Sequence, residues 1–127
     1  MQNNPLHQFI DQDFLNIETF RKNGQGVPTP VWFVEEAGML YVRTGASSGK
    51  VKRLLNNSRV RVVPCKMQGK LIGEWVEARA ELVNGDQTGK VDRLLKQKYG
   101  VQKIFFDLFG RMSNAESVTI AIKLAEE

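Results

Sequence analysis

The chain has 127 residues, 42% of them hydrophobic, which is enough apolar content for one core and too little length for two, so residues 1–127 read as a single domain. One cysteine, Cys65, excludes an internal disulfide or a CxxC pair, and one histidine, His7, excludes a histidine-built metal site or a Ser–His–Asp relay. No apolar run reaches the roughly 20 residues of a membrane span, and MQNNPLHQF lacks the order of a signal peptide, so a reducing, cytoplasmic setting is expected.

The formal net charge of +4 is local in origin. Between Ala37 and Gly73 there is no acid, while Arg43, Lys50, Lys52, Arg53, Arg59, Arg61, Lys66 and Lys70 give an island of +8. The other ten lysines and arginines face all fourteen acids, so the remainder is net −4. A focused positive field suits a small polyanion or a phosphorylated cofactor, and it also suits nucleic acid.

Residues 1–9 read as a short helix or arm, and Leu15–Thr19 alternates as a half-buried strand. Asn23-Gly24-Gln25-Gly26 is turn chemistry leading to a strand over Val27–Val34. Pro28 and Pro30 cannot donate to a ladder, so this strand begins as an edge, a bulge or a backbone facing something other than a strand. Its Val31–Val34 run is apolar on both faces, which predicts burial on both sides, in a barrel wall or against a second subunit.

Glu35-Glu36-Ala37-Gly38 turns the chain into a strand over Leu40–Thr44, followed by a turn of small residues and a helix running to about Asn57. Lys50, Lys52 and Arg53 stand in the first turn of that helix, where unpaired N–H groups already carry positive charge and acids are favoured. A phosphate seated there, with the hydroxyls of Thr44, Ser47 or Ser48 and the Lys50 ammonium around it, relieves the conflict. The alternative is that Ser48 simply caps the helix and the cations form a solvated face.

Arg59–Val63 alternates with arginine outward and valine inward, and Cys65–Gly73 is a loop. Glu74–Leu82 places Val76, Ala78, Ala80 and Leu82 on one face, small enough for a helix or a flat ring to approach. A helix over Gln87–Tyr99 carries a stripe of Val91, Leu94, Leu95 and Tyr99; a second helical stretch covers Val101–Met112, and the last strand is Ser117–Leu124. Six strands and three or four helices in this order do not make βαβ units; they fit a small antiparallel barrel, closed or split, with helices at its ends.

Pro28-Thr29-Pro30-Val31-Trp32-Phe33, then Arg43-Thr44, then Lys50 within SSGKVKRL, then Asn56-Asn57-Ser58-Arg59-Val60, resembles in its spacing the pyridoxamine 5′-phosphate oxidase-like superfamily, over about Leu15–Leu82 and more loosely to the last strand. The TG–SGKVKR segment is similar to that of the small single-domain, deazaflavin-dependent group. The resemblance implies a mainly β fold, a six-stranded antiparallel split β-barrel of Greek-key type with flanking helices. It also implies a homodimer with the cofactor, FMN or a deazaflavin coenzyme, in the groove between subunits. Backbone at Pro30, Val31 and Trp32 would then meet the ring's polar edge, and Arg43, Thr44, Ser48, Gly49 and Lys50 would hold the phosphate. No catalytic acid–base residue and no metal are expected.

Three departures bear on substrate. The C-terminal Trp/Arg motif of full-length pyridoxamine phosphate oxidases is absent, Gly49 stands where they carry arginine, and the histidine-bearing C-terminal region of haem-degrading relatives is missing. The function expected is hydride transfer to or from a small organic molecule. The alternatives are a flavin-binding module without turnover and a basic nucleic-acid-binding barrel, the latter favoured by the pI of about 9.4 and opposed by the lack of an aromatic stripe among the cations. Glu74 and Glu77 read as surface carboxylates, and Trp32 and Trp75 as either ring-stacking or core aromatics.

Overall fold

Strand alternation decides what faces inward. In a computed structural model, which describes residues 4–83, 86–99 and 117–125, Leu15 and Ile17 of β1 (Phe14–Phe20) turn to the same side as Val60 and Val62 of β5 (Arg59–Cys65). Ile17 lies opposite Val62 in an antiparallel ladder, and all four side chains are fully buried. The other strands are β2 (Gly26–Trp32), β3 (Val34–Glu36), β4 (Met39–Gly45), β6 (Val76–Val83) and β7 (Ser117–Leu124). They form one antiparallel sheet in the order β2-β1-β5-β6-β7-β4-β3.

That order forces closure. β2 and β3 stand at opposite ends of the sheet, yet Phe33 alone separates them in the chain. Seven flat strands would span about 29 Å at the usual interstrand spacing, and one residue cannot bridge that. The sheet therefore curls until its edges meet, and β2 approaches β4 across the seam. Within it, β5, β6 and β7 follow one another while β4 lies beside β7, which is the Greek-key arrangement.

The strand expected over Val27–Val34 is thus two strands, and the described residues form seven strands instead of six. The physical reason is the seam: Trp32 and Val34 turn outward, Phe33 turns inward, and the chain changes partner from β1 to β4 at that point. The expected burial of the Val31–Val34 run on both sides is met by the barrel wall itself. β2 is an edge strand, paired among the described residues with β1 alone. Pro28 and Pro30 share a parity, so their missing donors fall on one side of it, the outer side where no ladder needs them.

The interior holds Leu40, Val42, Ile120, Ile122 and the small Ala78 and Ala80, which make room for the rings of Phe9 and Phe33, 6.0 Å apart and edge to face. Phe9 comes from a 3-10 turn, Pro5–Phe9, capped by the Asn4 side chain. At another part of the wall α1 (Gly49–Asn56) adds Leu54 to the same core. α2 (Asp86–Tyr99) packs outside, its Val91, Leu95 and Tyr99 against Trp32, Val34, Tyr41 and Ala121, with Leu94 partly buried at the edge. The helical stretch read over Val101–Met112 lies outside the described residues. Among the described residues no helix is long and apolar enough to cross a membrane.

Candidate functional site

The site begins where β4 ends. Past Gly45 the chain turns, Ser48 N–H donating to the Gly45 carbonyl at 3.1 Å. Ser48 then caps α1, its hydroxyl accepting from Val51 N–H at 3.5 Å. The first turn carries no acid. Lys50 is half-buried and makes no hydrogen bond or ion pair among the described residues; burial, and secondarily Arg53, lower its pKa. Thr44 is the last buried residue of β4. Thr44, Ser48, Gly49 and Lys50 are therefore gathered on one strand–turn–helix corner with an uncompensated cation.

Arg43 goes the other way. Adjacent strand residues face opposite sides, and Arg43 lies on the outer face of β4. Its Nε donates to Asp92 Oδ1 of α2 at 2.9 Å, and its two terminal nitrogens to Thr119 Oγ1 at 3.1 Å and Ser117 Oγ at 2.6 Å in β7. The guanidinium is 4% exposed, and three of its five donors are spent bracing α2 and β7 against β4.

Pro30, Val31 and Trp32 lie on the edge strand, and the seam brings that strand towards β4 and the corner beyond it. Pro30 is exposed and Val31 packs against the interior. The Trp32 ring is 9% exposed, edge-on to Phe14 at 5.3 Å and tilted on Tyr99 at 4.2 Å, so this tryptophan offers backbone and not a stacking face. Opposite Pro30 in the ladder, and on the same side of the sheet, stands Asn16. It is 7% exposed, and its Oδ1 has no hydrogen-bond partner among the described residues.

The remaining aromatic and acidic candidates are surface features. Trp75 packs under the Arg61 guanidinium at 4.8 Å, Arg61 in turn meeting Glu18 at 2.6 Å. Glu77 holds Arg59 at 2.9 Å, both about half exposed, and Glu74 is joined to Gln8 through its backbone. No cluster able to hold a metal ion occurs among the described residues. Burial pushes the Cys65 thiol up, away from the reactive thiolate.

Two features were not visible in the sequence. Arg21 and Lys22, just before the Asn23-Gly24 turn, line a cleft with Lys52 and Arg53 of α1; an adjacent basic pair at a hairpin was the available signal. The second is a clamp on Phe33 from the end of α2: Tyr99 and Lys98 both reach its backbone, Lys98 Nζ donating to the Phe33 carbonyl at 2.8 Å and lying 3.7 Å from its ring centroid. Burial lowers the Lys98 ammonium to about 8, against the carboxylates of Asp13, Asp11 and Glu35. Between that value and the ordinary lysine range the unfolded chain holds a proton that the folded chain has lost, so stability rises with pH from about 8 upward. In a ¹³C NMR titration of reductively methylated protein, a resonance near pH 8 that disappears in Lys98→Met is expected; all lysines titrating together would contradict it.

A scan of protein-family models and a search of curated proteins return no match. Solved structures do. A Listeria innocua protein assigned as a pyridoxamine 5′-phosphate oxidase superposes with TM-score 0.68 at 15% identity, over 95% of this chain and 90% of that one. HutZ, a haem storage protein of Vibrio cholerae, gives 0.73 at 13% identity, over 100% and 93%. The fold is the pyridoxamine 5′-phosphate oxidase-like split barrel. An F420 reductase shares this split barrel at TM-score 0.64 and 15% identity, over 99% and 97% of the two chains. At such identities the likeness carries the fold, and an FAD-binding protein of Mesorhizobium loti is among those that share it.

Proposed function

We propose that this split barrel is an oxidoreductase that binds a phosphorylated flavin-type cofactor, FMN or a deazaflavin, and works by hydride transfer to or from a small organic molecule. The observation that carries the reading is Lys50: half-buried, without a partner among the described residues, and set beside the Ser48 cap in a first turn that has no acid. A phosphate supplies what that corner lacks. Lys50 would be its charge partner, Ser48 and Thr44 its hydroxyl donors, and Gly49 the place of close approach. Arg43 acts mainly by bracing β4 on α2 and β7, with two N–H groups left to offer.

The residues along the edge also fit such a group. Pro30 has a carbonyl and no N–H, so it can only accept, and the unpartnered Asn16 Oδ1 beside it is a second acceptor. Together they suit the N–H edge of an isoalloxazine or deazaflavin ring. The bound ring would supply the hydride chemistry; the chain binds it, orients it and shields it. The exposed outer side of the β2 edge leaves space for a second subunit, and we propose a homodimer with the cofactor between subunits.

Fluorescence titration of the apo-protein with FMN and with the deazaflavin coenzyme tests the reading, with one site per subunit expected. Saturation by neither overturns it. Asn16→Leu separates the ring contact from the fold. Removing an unsatisfied buried acceptor costs the apo-protein nothing and is expected to raise its stability by up to about 1 kcal/mol, while cofactor binding weakens. Thermal melts with and without cofactor check both halves; a variant that is less stable and binds normally would contradict them.

A further inference from the structure

Three cations stand in one row across the outer face of β5, β6 and β7. Arg59 lies opposite Arg79 in one antiparallel ladder, and Arg79 lies opposite Lys123 in the next. Val60, Ala78, Ala80 and Ile122 point into the barrel, so their chain neighbours Arg59, Arg79 and Lys123 all point out. Like charges directly opposite one another on adjacent strands destabilise a sheet, and here two such pairs share one arginine.

Within the row only Arg59 is neutralised. Glu77 takes it through two bonds of 2.9 Å, and its guanidinium lies over the Phe20 ring, 4.5 Å from the centroid. Arg79 donates one terminal nitrogen to Ser58 Oγ at 2.9 Å, a neutral partner that orients the guanidinium and leaves its charge unmet. No ion pair among the described residues reaches Arg79 or Lys123.

The row borders a cleft of ≈ 620 Å³, whose walls hold the three cations, Glu77 as one carboxylate, and apolar surface from Leu124 and Ala125. That is the size of a site for a small organic molecule. With Arg59 matched by Glu77, the two remaining cations call for two negative charges, and Leu124 and Ala125 for an apolar body beside them. The cleft is far from the corner at Lys50: Thr44 lies opposite Val118, and Lys123 stands five residues further along β7, about 17 Å at the rise of a strand.

We propose that the cleft across β5, β6 and β7 is a binding site for a small organic dianion, its phosphate or paired carboxylates on Arg79 and Lys123 and its apolar body on Leu124 and Ala125. It shares no residue with the Lys50 corner, and it stands or falls without the flavin.

Calorimetric titration of the full chain with phenyl phosphate, isophthalate and inorganic phosphate tests it. At least one of the two organic probes is expected to bind at least about tenfold more tightly than inorganic phosphate, phenyl phosphate alone marking a phosphate ligand and isophthalate alone a dicarboxylate. Arg79→Gln/Lys123→Gln is expected to weaken that binding about tenfold or more. Lys123→Gln alone takes no folded-state contact away and is expected to weaken it about threefold. Probe binding is expected to stay within about twofold in Lys66→Gln/Lys70→Gln, which removes the same charge from the exposed loop after β5, and FMN affinity to stay within about twofold in Arg79→Gln/Lys123→Gln. The proposal is overturned if neither organic probe binds better than inorganic phosphate, if the probe binds Arg79→Gln/Lys123→Gln as tightly as the parent, if both double variants weaken it equally, or if Arg79→Gln/Lys123→Gln loses FMN and probe together.

Discussion

Lys50→Ala is expected to weaken FMN binding by about 1.5–3 kcal/mol, roughly 10- to 150-fold, while leaving the unfolding midpoint unchanged or slightly raised. Both halves follow from one environment. The ammonium is half-buried and unpaired among the described residues, and burial works against its charge. Its removal therefore takes no folded-state contact away. A bound phosphate changes the sign: the same desolvation that disfavours a lone cation strengthens its bond to an anion. Binding titrations and thermal melts on parent and variant measure the two effects separately. Equal FMN affinity would place the phosphate elsewhere, and a large loss of stability would mean that Lys50 has a structural partner.

Tyr99→Phe is the substitution expected to damage the fold most for the fewest atoms removed. Phe33 is the residue at which the barrel closes, and its N–H donates to the Tyr99 hydroxyl at 3.1 Å. That hydroxyl has one proton and two carbonyls in reach, Phe33 O at 2.7 Å and Asp13 O at 2.6 Å. Burial raises the phenol pKa well above its ordinary value, so the proton is present throughout the usual working range. Phenylalanine keeps the ring against Trp32, 4.2 Å away, and so keeps the packing. What it removes is the acceptor for a buried backbone N–H, a loss of about 2–3 kcal/mol, or about 7–11 °C in Tm for a chain of this length. The Phe33 carbonyl retains Lys98 Nζ, so among the two carbonyls only that of Asp13 is left without the hydroxyl's proton. A melt within about 2 °C of the parent would show that the clamp does not hold the seam.

Local chemistry was legible in the sequence, and cross-strand chemistry was not. Leu15, Ile17, Val60 and Val62 alternate within single strands, so their inward face could be read directly. The Ser48-Gly49-Lys50 corner lies four to six residues from Thr44, and its charge conflict is visible in the chain alone. The break at Phe33 was hidden because nothing in Val31–Val34 marks it; it follows from closing the ends of a seven-strand order. Arg43 stood in the sequence as a phosphate donor, while its observed partners Asp92, Ser117 and Thr119 lie 49, 74 and 76 residues away. Asn16 gave no signal for the same reason, since only the ladder sets it opposite Pro30.

Whether a phosphate sits at the Lys50 corner is decided by comparing FMN with riboflavin, the same ring without the phosphate, in equilibrium fluorescence titrations of the parent protein. FMN is expected to bind at least about tenfold more tightly, the worth of the charge-assisted contact at Lys50. Equal affinity for the two, or binding of neither, would contradict it.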